Sequence, residues 1–214
     1  MSAKQIKIKG KRVYKKTLVN NLLSIYTKAQ DNRSVTLEGR RWYQLAYNHA
    51  TRMSAINGLP VYKSAGIIAA LSPLSSWDRN KETALLYAQG QRKGLHTNKM
   101  IEKCAQIEVA QGFEEVAKIL NGDKIVSFYK NICGYNVWSD DVTIDRHAIA
   151  AAYGKNISDK DRPQLTKSQY KFIADAYVEA TIEIKYTLNM EYTPHQLQAI
   201  IWVWWRIYGQ EFMD

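Results

Sequence analysis

Cysteine is scarce in this sequence: its 214 residues include only Cys104 and Cys133. Two cysteines exclude a disulfide framework, and they are too few for a four-cysteine iron–sulfur cluster or zinc site. The chain also lacks the H-E-x-x-H and H-x-x-E-H spacings of zinc enzymes, the P-loop of nucleotide-binding proteins and the G-x-S-x-G turn of serine hydrolases. We therefore expect neither a metal site nor a cofactor, and the kinase-like, ATPase and serine hydrolase classes are disfavoured.

Long hydrophobic runs are absent as well, because no apolar stretch is long enough to span a bilayer. The first residues, MSAKQIKIKGKR, contain cations but lack the apolar core of a secretion signal. These two absences predict a cytoplasmic protein that has no membrane partner.

Acidic residues are missing from one part of the chain. Residues 1–16 hold seven Lys and Arg and no Asp or Glu, so they contribute +7 to a net charge of +10, and the remaining 198 residues contribute only +3. This distribution predicts a basic N-terminal tail over 1–16, either an arm that follows phosphates or a tail that only aids solubility. The excess of cations and the 24 Phe, Trp and Tyr residues favour a nucleic-acid partner.

Beyond the tail the hydrophobic periodicity is helical almost everywhere, and the alternation of Ile6 and Ile8 is the sole strand-like pattern. The second predicted helix, 36–56, has an apolar face that runs from Trp42 to Ile56. Two long helices close the chain, each introduced by a capping box of Thr and Gln. The predicted helices span about 17–29, 36–56, 61–71, 77–91, 97–109, 112–120, 124–132 and 146–153, followed by the two that begin after Thr166 and Thr193.

These patterns predict an all-α fold: a compact, two-lobed helical bundle of about nine or ten helices. Residues 17–214 form one helical domain. Within it, residues 60–153 are expected to be the lobe that carries the chemistry, and residues 17–59 and 154–214 the helices packed beside it.

Two features of the 60–153 region carry chemistry. The turn Leu120-Asn121-Gly122 lies between two predicted helices, and its glycine lets backbone amides approach a phosphate because no Cβ is in the way. About 20 residues later, Asp145 follows an apolar segment and precedes His147. A carboxylate that is partly removed from water has a stronger electrostatic attraction for a positive charge that develops nearby. The alternative role for Asp145 is an N-cap of the helix 146–153.

At this point the sequence resembles the helix-hairpin-helix superfamily of DNA glycosylases, the relatives of endonuclease III. The similar strings are LNGDK (120–124), TIDRHA (143–148) and YKSAGIIAALSPLSSWDRNKETALL (62–86). The strings LSP…W…N and TIDRHA are also similar to those of small proteins of tailed phages. This similarity makes modification of viral DNA one of the biological roles that the sequence leaves open. The resemblance implies a glycosylase-like fold, duplex DNA with a flipped base as partner, and Asp145 as the catalytic carboxylate.

The resemblance leaves the position of the family's Schiff-base lysine open. Without a gap this position falls on Val126, 19 residues before Asp145, which implies a monofunctional enzyme. With an insertion it falls on Lys124, which is then a second catalytic residue.

Several further residues are candidate DNA contacts. Leu74 or Trp77, in the turn 72–77, is the candidate wedge that replaces an extruded base, although Trp77 could equally be part of the core. The turn residues Asn121 and Gly122, together with Lys130, Arg146 and His147, are further candidate contacts to DNA. Lys124 and Lys130 could instead be ordinary solvated lysines.

Trp202, Trp204 and Trp205 could stack on bases, but their helical spacing favours the core. The competing functional hypothesis is a DNA-binding protein that has this helical fold and no catalytic activity.

Overall fold

A computed structural model describes residues 4–212 of the chain. These residues form ten α-helices, one antiparallel pair of strands and a short 3-10 helix, which confirms the all-α prediction and its number of helices. The elements are β1 (Gln5–Ile8), β2 (Lys11–Tyr14), α1 (Lys15–Gln30), α2 (Arg33–Asn57), α3 (Val61–Ala70), α4 (Trp77–Ala88), α5 (Asn98–Val109), α6 (Phe113–Leu120), α7 (Asp123–Cys133), α8 (Arg146–Tyr153), α9 (Lys167–Leu188), α10 (Pro194–Tyr208) and the 3-10 helix Gly209–Phe212.

The chain divides into two units at positions that differ from the predicted lobes. One unit combines the chain up to Tyr43 with the chain from Asn136 onward, and the other is Gln44–Tyr135. The predicted lobe boundaries were 60 and 153. Because α2 contributes residues to both units, the Gly58-Leu59-Pro60 signal marks the end of a helix and not the boundary of a unit.

The predicted basic tail is corrected by the structure, since its described part folds as the β1–β2 hairpin and the beginning of α1. The strands pair antiparallel with Ile6 opposite Val13, and Ile8 is only 4% exposed. The turn consists of Lys9 and Gly10 with φ values of 48° and 74°, and two successive positive φ values are typical of the tight turn that matches the twist of a hairpin. A Lys-Gly turn is not a common hairpin signal, so the sequence pattern did not predict a partner for β1.

The core of the first unit lies between α1 and the helices α8, α9 and α10. α2 approaches α10 closely at Gly39, where a Cβ would lie 2.4 Å from the Cα of Ile200. Both predicted capping boxes are present, Thr166 with Gln169 and Thr193 with Gln196. The two caps fix where α9 and α10 begin.

The second unit is built around α3, which contacts α4, α5, α6 and α7. Ala65, Ile67 and Ile68 are fully buried, as the nearly uniform apolar composition of this segment predicts. Burial of one such isoleucine side chain stabilises the fold by about 1.5–3 kcal/mol. The central position of α3 thus holds the surrounding helices in place.

Candidate active site around Asp145

Asp145 is positioned by an extended segment that leads into α8. Val142, Thr143 and Ile144 are buried and have no strand partner within the described residues, so their backbone groups need other hydrogen bonds. The hydroxyl of Tyr170 supplies two of these: it accepts from the amide of Ile144 at 2.9 Å and donates to the carbonyl of Val142 at 2.8 Å. α9 therefore fixes the segment whose next residue is Asp145.

Both carboxylate oxygens of Asp145 have a donor. Oδ1 accepts from the backbone amide of Ala148 at 2.8 Å, and Oδ2 accepts from the indole Nε1 of Trp202 at 2.9 Å. The N-cap interpretation of Asp145 is thus confirmed. An ionised carboxylate has about four acceptor positions, so each oxygen can still accept from a further group. The side chain is half-buried and fixed in orientation, with capacity left for a ligand or a water molecule.

Aromatic rings and cations surround this carboxylate. The ring of Trp202 lies edge-on to Trp42, with centroids 5.7 Å apart, and edge-on to His147 at 6.3 Å. The guanidinium of Arg206, one turn further along α10, stands 4.6 Å from the centre of the Trp202 ring. The three rings are half-buried, whereas the side chains of Arg206 and Arg146 are exposed. The site therefore combines one fixed acid with partly accessible rings and two cations.

The neutral form of His147 is favoured in this site. Its burial lowers the pKa of the imidazole below the usual 6.5, the attraction of Asp145 acts in the opposite direction, and the positive charges of Arg146 and Arg206 lower it further. The Nε of Arg146 donates to Nε2 of His147 at 3.2 Å, which requires an unprotonated Nε2. The hydrogen bond and the direction of the pKa change agree.

Two buried tyrosines, Tyr43 and Tyr177, lie near the site. Tyr43 donates to Oε1 of Gln198 at 2.9 Å, and Tyr177 donates to the carbonyl of Ala148 at 2.9 Å. Burial raises the pKa of both phenols, so they remain neutral donors at ordinary pH. The contact of the Tyr177 hydroxyl with the start of α8 joins residues 29 positions apart, so periodicity of the sequence does not show it.

Two of the three C-terminal tryptophans lie in the core, in agreement with their helical spacing. Trp204 and Trp205 are 6% and 3% exposed, whereas Trp202 lies at the site. The sequence contained no signal that distinguishes Trp202, because its contact with Asp145 joins residues 57 positions apart.

The residues of the predicted phosphate-binding turn, between α6 and α7, lie in the second unit. Asn121 and Gly122 form the turn between α6 and α7 with φ values of 52° and 89°, and both are exposed. Lys124 is exposed in the first turn of α7 and Lys130 is half-buried near its end. Asp123 also lies in the first turn of α7, where its negative charge complements the helix dipole. An incoming phosphate would therefore share this helix end with a carboxylate.

The two predicted catalytic residues do not belong to one unit. Lys124 lies in Gln44–Tyr135, whereas Asp145, Arg146 and His147 lie in the unit that continues from Asn136. Neither unit contains both Lys124 and Asp145. The structure thus brings together Asp145, Arg146 and His147 and adds Trp42, Trp202 and Arg206, which the sequence did not assign to the site.

The structure distinguishes the two wedge candidates. Leu74 is 100% exposed and has a φ of 58°, which is uncommon for a residue other than glycine. The ring of Trp77 is half-buried, lies edge-on to Phe128 at 6.3 Å and is covered by the Nζ of Lys81 at 5.6 Å. Leu74 is thus the side chain that projects, and Trp77 packs on Phe128 and Lys81 within the second unit.

Residues 4–212 contain no helix that is both long and apolar enough to cross a membrane. Within the same residues, no three side chains of His, Cys, Asp or Glu lie close enough together to hold a metal ion.

Comparison with known proteins gives one match. No curated protein and no solved structure matches the chain significantly. One family model matches residues 4–208, and this range covers both units and every element of the site. Because the match extends over nearly the whole chain, the protein belongs to DUF7178, a family of unknown function.

Proposed function

We propose that the protein is a DNA N-glycosylase, which hydrolyses the bond between a damaged or modified base and its sugar at the Asp145 site. The observation that carries this proposal is the Asp145 carboxylate, whose two oxygens are oriented by the amide of Ala148 and the indole of Trp202. A fixed acid beside accessible aromatic rings suits a reaction in which positive charge develops on a sugar.

The magnitude of this effect is sufficient for catalysis. Cleavage of an N-glycosidic bond gives the sugar oxocarbenium character, as glycoside hydrolysis does. A carboxylate about 4 Å from that charge, at an effective dielectric constant of about 20, stabilises it by about 4 kcal/mol, or about a thousandfold in rate. Because the carboxylate is already oriented, little reorganisation is needed when the charge appears. A remaining acceptor position on Asp145 can orient the attacking water.

The groups around Asp145 suit an extruded nucleotide. Trp42, His147 and Trp202 offer partly accessible ring surface, and stacking of a base on an aromatic side chain contributes about 1–3 kcal/mol. Arg146 and Arg206 are exposed cations that can pair with the flanking phosphates. The base, the sugar and the phosphates of one nucleotide would each have a matching group.

Two features of the second unit support DNA binding. Leu74 projects fully into solvent from a strained backbone position, as expected for a side chain that enters a base stack. The exposed turn of Asn121 and Gly122, with Lys124 beside it, offers backbone amides and a cation to a phosphate. In this proposal Lys124 binds DNA and forms no imine, so the enzyme is monofunctional.

A second candidate function is DNA binding without catalysis. The specific observation that favours it is that both donors to Asp145 also serve the fold, since one starts α8 and the other joins α8 to α10. In that case Asp145 stabilises the first unit and has no substrate.

The experiment that separates these functions measures base release directly. Wild-type protein is incubated with duplexes that carry uracil or oxidised, alkylated or hypermodified bases, and with phage genomic DNA, and free bases are identified by mass spectrometry. The proposal predicts one released base and abasic sites that break only after hot alkali. Duplex binding with no base released between pH 5 and 9 would support the binding protein and refute the glycosylase.

A further inference from the structure

The β1–β2 hairpin presents two different faces. By strand alternation and the pairing register, Ile6, Ile8 and Val13 lie on the inner face, which packs against the core of the first unit. The outer face consists of Gln5, Lys7, Arg12 and Tyr14, all of them exposed. Lys7 and Arg12 are therefore on the face directed away from the unit on which the hairpin packs.

Side-chain contacts fix this hairpin to the first unit. The side-chain Nε2 of Gln169, near the start of α9, donates to the carbonyl of Lys7 at 2.8 Å. The Nζ of Lys9 donates to the carbonyl of Asp161 at 2.7 Å. Together with the buried side chain of Ile8, these contacts make the hairpin a fixed part of the surface, so its cations are held in place before any partner arrives.

The cations of this segment divide into two groups. Lys9 is bound to the 160–161 loop, and Lys15 is buried and forms an ion pair of 2.6 Å with Glu179. These two lysines stabilise the fold. The remaining five have exposed side chains: Lys4, Lys7, Lys11, Arg12 and Lys16.

One pair on the outer face is unfavourable for the isolated protein. Lys7 and Arg12 are directly opposite each other in the register, and like charges at such positions are about 5 Å apart at Cβ and destabilise a hairpin. The segment contains no acid that could relieve this repulsion. A polyanion that lies across the pair would convert the repulsion into two favourable contacts.

We infer that the outer face of the β1–β2 hairpin binds the phosphate backbone of duplex DNA. The major groove is about 12 Å wide and admits a two-stranded ribbon, and the cations of Lys7 and Arg12, about 5 Å apart at Cβ across the pair, can each reach a phosphate. Tyr14 adds a hydroxyl that can donate to a phosphate oxygen. An anionic membrane fits less well, because the apolar side chains of the hairpin are on the inner face and not available to a bilayer. This inference does not depend on hydrolysis at Asp145.

The test uses Lys7→Glu in the full-length protein. This variant places a carboxylate opposite Arg12, so the thermal midpoint is expected to stay the same or rise, which separates lost binding from lost folding. Binding to an undamaged duplex is measured at several salt concentrations. Each lost phosphate contact lowers the slope of log K against log salt by about 0.9, and the affinity at 0.1 M salt falls about tenfold.

The matched control is Lys93→Glu, which makes the same charge change at an exposed position of the second unit. The inference predicts a smaller slope for Lys7→Glu and for Arg12→Glu than for this control. Equal slopes for the three variants would overturn it, and so would failure of the wild-type protein to bind the duplex. Weaker binding of Lys7→Glu to phosphatidylserine vesicles, with unchanged binding to the duplex, would assign the face to a membrane and overturn it as well. Because the duplex is undamaged, absence of base release would not affect the result.

Discussion

The substitution Trp202→Phe tests whether the indole nitrogen orients Asp145. It removes the donor 2.9 Å from Oδ2 but keeps an aromatic ring beside Trp42 and His147. A hydrogen bond to a charged group contributes about 1.5–3 kcal/mol, and because this site is half-buried and water can replace part of the interaction, we expect a loss of about 1 kcal/mol. For a chain of this length that loss lowers the thermal midpoint by about 2–4 °C.

The contribution of the hydrogen bond itself is measured by a double-mutant cycle. Trp202→Phe, Asp145→Asn and the double variant are compared by denaturant unfolding, and we expect a coupling of about 1 kcal/mol. The same loss of orientation should lower the rate of base release about fivefold. Trp138→Phe is the control, because Trp138 lies 47% exposed in the loop before Asp145. A coupling near zero, with Trp202→Phe equal to Trp138→Phe in both assays, would refute the orienting role.

Three other substitutions test further parts of the structure. Gly39→Ala places a Cβ 2.4 Å from the Cα of Ile200, so we expect calorimetry to show a destabilisation of at least about 1–3 kcal/mol. Leu74→Gly removes the side chain and relieves a positive φ, so the free energy of unfolding should stay the same or rise by up to about 1 kcal/mol. If Leu74 is the wedge, base release from a duplex falls and base release from a single strand does not. A parallel loss on both substrates would contradict the wedge role of Leu74. The pKa of His147 is lowered in the folded state, so its contribution to stability is complete above the unfolded pKa of about 6.5 and is lost as the pH falls below it. His147→Gln should therefore flatten the decrease in thermal midpoint between pH 7.5 and 5.5, and an unchanged decrease would contradict this assignment.

Features that depend on nearby residues could be predicted from the sequence. The capping boxes at Thr166 and Thr193 and the uniformly apolar α3 each involve residues within a few positions of one another, and the structure confirms them. The orientation of α2 was less predictable: Leu45 and Ile56 lie on the expected face yet are 55% and 43% exposed. The buried apolar residues of α2 include Tyr43, Ala46, Ala50 and Met53, so the buried face is rotated by about one residue from the predicted one.

The candidate site could be predicted only in part. Asp145 was identified from the residues around it and from the family resemblance, whereas its contacts with Trp202 and the support from Tyr170 join distant parts of the chain. Such contacts are determined by the packing of whole helices, and no local spacing reports them. The β1–β2 hairpin was not predicted for a different reason. Its inner face has only three apolar residues, and the many cations of the segment indicated a charged tail instead of a pair of strands.

The rate of base release by Asp145→Asn tests the central claim most directly. Asparagine also caps helices well, so this variant keeps the start of α8 and removes the negative charge. Under single-turnover conditions on the base that the wild-type protein releases, we predict a rate about a thousandfold lower, with duplex affinity essentially unchanged. Asp78→Asn, at an exposed acid in the first turn of α4, should release the base at the wild-type rate. Equal rates for Asp145→Asn and the wild type would contradict the claim that the Asp145 carboxylate stabilises the developing positive charge.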